Sequence, residues 1–120
     1  MTTSDLKTCI QACYDCADAC DTCAIACLNE SDPAPMARCI ALDVDCAQVC
    51  RLASSLMARG STHAPALCAL AAMVCEACAE ECARFAMAHC RACAQACERC
   101  ALECRRMAGV APLAASTQSA

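Results

Sequence analysis

Along four stretches of the chain, small or apolar residues return at alternating intervals of three and four, with polar residues between them. The pattern is clearest at Cys13, Cys16, Cys20, Cys23 and Cys27, and again at Cys90, Cys93, Cys97, Cys100 and Cys104. Residues three and four apart stack on one face of an α-helix. A sustained 3-4 alternation is the seam of a coiled coil or bundle, where leucine is usual. Laid on the other two stretches, the same template reads Met36, Cys39, Asp43, Cys46, Cys50 and then Cys68, Ala71, Cys75, Cys78, Cys82. Cys9 precedes the first stripe, and Met57 and Met107 extend the second and fourth.

Punctuation divides the stripes into four helices. Thr2, Thr3, Ser4 and Asp5 are N-cap candidates for the first. Asn29 and Ser31-Asp32-Pro33-Ala34-Pro35 end it, and Asp32 with Pro33 reads as N-cap and N1 of the second. Gly60 supplies a left-handed stop after about Arg59. Ser61 or Thr62, then Pro65, start the third. The break before the fourth has neither Gly nor Pro and rests on register, since Cys82 to Cys90 is eight residues, one more than a heptad. One helix over 65–107 would also exceed about 60 Å, too long for a chain of this size. A tight turn is therefore expected at 86–89. The fourth helix ends near Met107, with Gly109 beyond it. Four inward stripes with short connections predict an all-α, antiparallel up-down-up-down four-helix bundle with a cysteine-lined core over 1–108. Residues 109–120 are expected to form a disordered tail.

Composition makes that core unusual. The chain has 18 cysteines in 120 residues, one Phe, one Tyr and no Trp. Hydrophobic burial alone would hold such a core poorly, so something besides side-chain volume is expected to fill it. Cysteine at this density usually means a secreted disulfide scaffold. Here the start MTTSDLK offers no apolar signal segment, and helical periodicity replaces loops. Neighbours on one stripe also point the same way, which strains bridging between them. The thiols are read as reduced and the compartment as cytoplasmic. No apolar run approaches the ~18 residues of a membrane span. A net charge of −4 with scattered basic residues gives no nucleic-acid footprint.

Thiols three or four apart on a helix can share a metal ion. The chain holds five Cys-x-x-Cys and seven Cys-x-x-x-Cys neighbours. Soft thiolates select Cu(I), Zn(II) or iron–sulfur clusters. Cu(I) accepts two or three thiolates, and about one ion per thiolate leaves a nearly neutral interior. Zinc needs four ligands, so 18 thiolates would hold only about four or five isolated ions and bury net negative charge. Iron–sulfur sites draw three or four cysteines from a wrapping loop, which a regular stripe lacks. Many Cu(I) ions per chain are therefore the favoured cargo. The alternatives are an iron–sulfur or thiol-redox electron carrier and a zinc reservoir. No nucleophile–base pair stands out, since His63 and His89 both fall in expected turns without an orienting carboxylate. No catalytic residue is assigned, and the chain is read as a non-enzyme.

The runs Cys13-Tyr-Asp-Cys-Ala-Asp-Ala-Cys-Asp-Thr-Cys-Ala-Ile-Ala-Cys27 and His89-Cys90-Arg-Ala-Cys-Ala-Gln-Ala-Cys-Glu-Arg-Cys-Ala-Leu-Glu-Cys104-Arg-Arg-Met107 resemble the bacterial copper storage proteins. The likeness covers about residues 5 to 108 and is to their cytosolic branch. It implies a homotetramer of bundles, each filled with many Cu(I) ions for storage. A copper chaperone or low-molecular-weight thiols would be its exchange partners. That branch opens its last helix with His-x-His-Cys. The matching residues here are Met87, Ala88, His89 and Cys90, so only the second His is kept and Met87 stands where the first would be. Asp43 matches the occasional Asp ligand of the family.

The candidate ligands are thus the 18 cysteines with His89, Asp43, Met36, Met57, Met87 and Met107. His63, in a Gly-Ser-Thr loop, reads as a solvated side chain. Leu42, Val49, Leu52 and Leu56 on the second helix, and Leu67, Leu70 and Val74 on the third, run beside the seam. They suggest the contact between subunits. The first and third loops share one end with Met36, Met87, His89 and Cys90, and copper is expected to enter there.

Overall fold

A computed structural model describes residues 2–109; the expected tail, 109–120, lies outside the described residues except for Gly109. Four α-helices account for most of the rest: α1 Thr3–Leu28, α2 Ala37–Ala58, α3 Ala64–Cys82 and α4 Ala88–Ala108. Among the described residues there is no strand. Each helix packs on its neighbours in sequence, and α4 closes on α1. This is the expected up-down-up-down bundle.

The helix ends show how the chain sets these lengths. Of the N-cap candidates, Thr2 is the cap. Its Oγ1 accepts from Asp5 N at 3.0 Å, and Asp5 Oδ2 accepts from Thr2 N at 3.1 Å, a reciprocal capping box. The second helix does not begin at Pro33 as its sequence suggests. Residues Ala34–Met36 form a single 3₁₀ turn, closed by Met36 N–H to Pro33 O at 2.9 Å, and α2 opens at Ala37. Pro35 disfavours α geometry at the residue before it, Ala34, so the α ladder is established only beyond this turn. Gly60 stops α2 as expected, at φ +67°. Ser61 N–H reaches Leu56 O and Gly60 N–H reaches Met57 O, the paired bonds of a Schellman motif. Gly109 closes α4 in the same left-handed conformation, at φ +63°.

The break between α3 and α4 is displaced from its expected place. It occupies 83–87, not 86–89. Arg84 and Phe85 N–H groups turn back to Glu81 and Cys82 carbonyls, and Met87 is extended at ψ 143° before α4 begins. The Arg84 guanidinium also lies 5.5 Å over the Phe85 ring, a contact that accompanies these backbone bonds in a turn without Gly or Pro.

Every fully buried apolar side chain among the described residues is Cys, Ala or Met. The alanines, such as Ala17, Ala47, Ala72 and Ala94, flank the thiols and let the helices approach. Leucine and valine sit one layer out: Leu42, Val49, Leu56, Leu67 and Val74 are half-buried against the core. Leu52 and Leu70 are half-exposed. Most of the apolar stripe beside the seam is thus engaged within the bundle. The exposed apolar residues are spread over all four helices, including Ile25, Met73 and Leu102.

Ion pairs join every neighbouring pair of helices. Arg51 meets Asp21 at 2.8 Å between α2 and α1, and Arg38 meets Glu81 at 3.6 Å between α2 and α3. Arg105 meets Glu76 between α4 and α3, and Arg106 meets Asp5 at 3.6 Å between α4 and α1. Exposed pairs of this kind contribute little stability individually.

Candidate metal centre

All 18 cysteines are buried free thiols. The four seams converge on one column of sulfur along the bundle axis. The shortest contacts cross between helices: Cys39–Cys82 at 3.2 Å, Cys46–Cys75 at 3.4 Å, and Cys13–Cys104 and Cys16–Cys97 at 3.5 Å. Contacts along a helix, such as Cys23–Cys27 and Cys100–Cys104, join residues four apart and are 3.8–4.0 Å long. Helical neighbours four apart therefore lie within reach of one shared ion, and thiols on adjoining helices lie closer still. The side chains lean toward the axis, so the closest thiol is usually on the next helix.

These distances suit shared soft ions. At a metal–sulfur bond of about 2.3 Å, the zinc–thiolate scale, one ion can bridge sulfurs up to about 4.6 Å apart. Quartets whose donor atoms lie within 4.8 Å of one another recur along the column, and they overlap. Cys16 and Cys46 belong both to the quartet with Cys50 and Cys75 and to the quartet with Cys20 and Cys97. Cys20 and Cys97 recur with Cys78 and Cys93. Isolated four-thiol sites cannot all be filled together when they share members. The arrangement favours ions linked by bridging thiolates, which is the behaviour of Cu(I) more than of isolated zinc.

Proton release accompanies any such filling, because the ligand is the thiolate. Burial, then the hydrogen bond with Cys27, pushes Cys90 up to about 11. Hydrogen bonds from neighbouring thiols, Cys100 first, bring Cys104 down to about 6.

Asp43 replaces a thiol in the column and is fully buried. Its Oδ1 accepts from Cys78 and Cys93 at 3.2 Å and from Cys82 at 3.6 Å, and Oδ2 accepts from Cys39 at 3.9 Å. Burial, then the negative charge available at Cys93 and Cys78, raises its carboxyl to about 9. It forms a quartet with Cys23, Cys39 and Cys82, so the structure brings it among the ligands the stripe predicts. Ala71, the other interruption of the seam, is buried and offers no donor.

One end of the column carries His89. Its Nδ1 lies 3.5 Å from Cys90, 3.6 Å from Cys23 and 3.9 Å from Cys27. Its Nε2 lies 2.9 Å from Glu30 Oε2. The expectation that neither histidine has an orienting carboxylate fails here. Glu30 is 59 residues away in sequence, and no motif links the two. Met36 is buried and Met87 half-buried, both against the core, in the connections at this same end. Met57 is buried and Met107 half-buried at the opposite end, where Cys104 meets Cys9 at 4.0 Å. His63 is exposed at the start of α3, away from the His89 end.

From Cys90 the column continues through Cys23, Asp43, Cys93, Cys20, Cys97, Cys16, Cys46, Cys75, Cys50, Cys100, Cys13 and Cys104 to Cys9, with no step longer than 4.8 Å. This is a continuous donor path from one end of the bundle to the other.

A family model described as copper storage protein matches residues 2–109. An uncharacterized cysteine-rich protein of Bacillus subtilis (strain 168), YhjQ, is 46% identical over 78 residues, covering 65% of this chain and 72% of its own. The Cu(I)-bound copper storage protein BsCsp3 superposes with a TM-score of 0.83 at 45% identity, over 87% of this chain and 98% of its own. A cytosolic copper storage protein from Streptomyces lividans, in a form with five coppers, superposes with a TM-score of 0.85 at 37% identity, over 90% of this chain and 95% of its own.

Proposed function

The chain belongs to the copper storage protein family, and on that basis we propose that it sequesters many Cu(I) ions on the thiolates of its bundle core. The observation that carries this reading is the unbroken column of buried, free thiols with overlapping donor quartets. A pair of sulfurs that would hold an ion has a third sulfur within about 4 Å of one of them, as Cys50 lies 3.5 Å from Cys75 beside Cys46, so an ion could gain a new ligand before losing an old one. Copper then moves along the column without a free ion ever being exposed. The 18 cysteines are the ligands, with Asp43 as the oxygen donor among them. His89, Met36 and Met87 form the port, while Met57 and Met107 close the far end. The unit of storage is the bundle over 1–108.

The proposed role is storage, with the donors buried as free thiols along the bundle axis. A reducing cytoplasm keeps the thiols free, and the Streptomyces lividans relative is itself cytosolic. Loading and release occur by exchange with a copper chaperone or a low-molecular-weight thiol. The bundle assembles as a homotetramer, using exposed apolar residues that include Leu52 and Leu70; sedimentation of the Leu52→Glu/Leu70→Glu variant should give smaller species than the parent chain.

Zinc is the competing reading, since each quartet alone could hold a tetrahedral ion. Reduced, metal-free protein offered excess Cu(I) and Zn(II) together, then desalted and analysed for metal, decides between them. Copper on the order of ten ions or more per chain, with little zinc, is expected from charge balance over the thiolates. Retention of about four zinc ions with copper excluded would overturn the assignment.

A further inference from the structure

His89 is held from outside the thiol column by a residue that the seam does not contain. Glu30 Oε2 is 2.9 Å from Nε2, while Nδ1 on the other side of the ring faces Cys90, Cys23 and Cys27. Glu30 stands in the turn that ends α1. Its backbone N–H donates to Cys27 O at 3.2 Å, which anchors its main chain beside one of the cysteines the ring faces. His89 is the second residue of α4. The contact therefore ties the α1–α2 connection to the first turn of α4 across the end of the bundle. It is partly sheltered, with 18% of the His89 side chain and 35% of the Glu30 side chain exposed.

A carboxylate accepts hydrogen bonds and does not donate them. Nε2 must then carry the hydrogen, and in the neutral ring Nδ1 keeps the lone pair. That lone pair is directed at three thiols. The χ2 torsion of histidine is broad and roughly two-fold, so a half-turn of the ring would present carbon to those thiols instead. The geometry points to Glu30 as a positioning residue for copper transfer: it holds His89 as the Nε2–H tautomer and presents Nδ1 as a nitrogen donor beside Cys23, Cys27 and Cys90. Metal-ligating histidines are ordinarily fixed in this way through their second nitrogen. The inference rests on the reading of this end as the port. It adds a residue outside the cysteine stripes to the working parts.

Two measurements on the full chain test it. Imidazole ¹⁵N shifts of the reduced, metal-free protein report the tautomer, with His89→Ala identifying the His89 signals against those of His63. The second is the rate of Cu(I) loading from a chromophoric Cu(I) chelator. The parent protein should show a single Nε2–H tautomer at His89, and Glu30→Ala should lose it. Glu30→Gln, which keeps an amide oxygen as acceptor, should retain it. Glu30→Ala should slow loading by about 10-fold or more, as loss of such a partner typically does, with Glu30→Gln closer to the parent. In a His89→Ala background, Glu30→Ala should change nothing further. An unchanged tautomer in Glu30→Ala overturns the assignment, and so does an equal slowing in both backgrounds. Loading of His89→Ala at the parent rate overturns the port and Glu30's part in transfer with it. The tautomer, read without copper, distinguishes that failure from a failure of Glu30 to orient the ring.

Discussion

Replacing Asp43 by asparagine should change how the stability of the metal-free protein depends on pH. The carboxyl is fully buried, and burial with the neighbouring thiols raises it from 3.8 to about 9. In the unfolded chain it ionises near its ordinary value of ~3.9. Between these limits the folded state holds one proton more than the unfolded state. Unfolding free energy therefore falls as pH rises, by about 1.4 kcal/mol per pH unit. From about pH 5 to about pH 8 the loss from this one group is about 4 kcal/mol. Asparagine keeps the shape and an acceptor oxygen for Cys78 and Cys93 but has no proton to lose. Guanidinium unfolding of both proteins, reduced and anaerobic, at several pH values gives the difference directly. Cys23 and Cys39, which feel the Asp43 charge, are pushed well above this range, so subtraction reports mainly Asp43. The variant should gain about 4 kcal/mol on the parent across that range. Parallel profiles would refute the reasoning and mean that the thiols already hold a charged carboxylate in the metal-free core.

Two further outcomes follow from the helix ends and the port. Gly60→Ala should destabilise the metal-free protein by about 1–2 kcal/mol in chemical denaturation, the cost of a left-handed L-residue; an added Cβ there meets nothing within 4 Å, so no steric term joins it. The combined His89→Ala, Met36→Ala and Met87→Ala variant should load and release Cu(I) more slowly in stopped-flow exchange with a chelator, with the total capacity nearly kept; unchanged rates would move the port elsewhere.

Much of this was legible because the seam is written in one residue type. A stripe of cysteine at 3-4 spacing gives helix phase, helix number and the inward face at once, and Asp43 stands out as the position where the stripe changes element. Chain ends of helices were legible where a residue has a distinct backbone habit, as at Thr2, Gly60 and Gly109. They were not at the α3–α4 turn, which is closed by backbone bonds from Arg84 and Phe85 to Glu81 and Cys82, nor at α2, which one 3₁₀ turn over Ala34–Met36 precedes. The pairing of thiols across helices depends on axial offset, which spacing along one helix does not contain. Glu30 was invisible for the same reason, since its partner lies on the last helix and only the closed bundle brings them together.

The central claim is that the column holds many Cu(I) ions and not a few. Anaerobic titration of the reduced, metal-free protein with Cu(I), against a competing chelator, measures this directly. Tight uptake should continue to roughly one ion per thiolate, without visible absorption. Saturation at one or two ions per chain, or a brown protein absorbing in the visible, would contradict it.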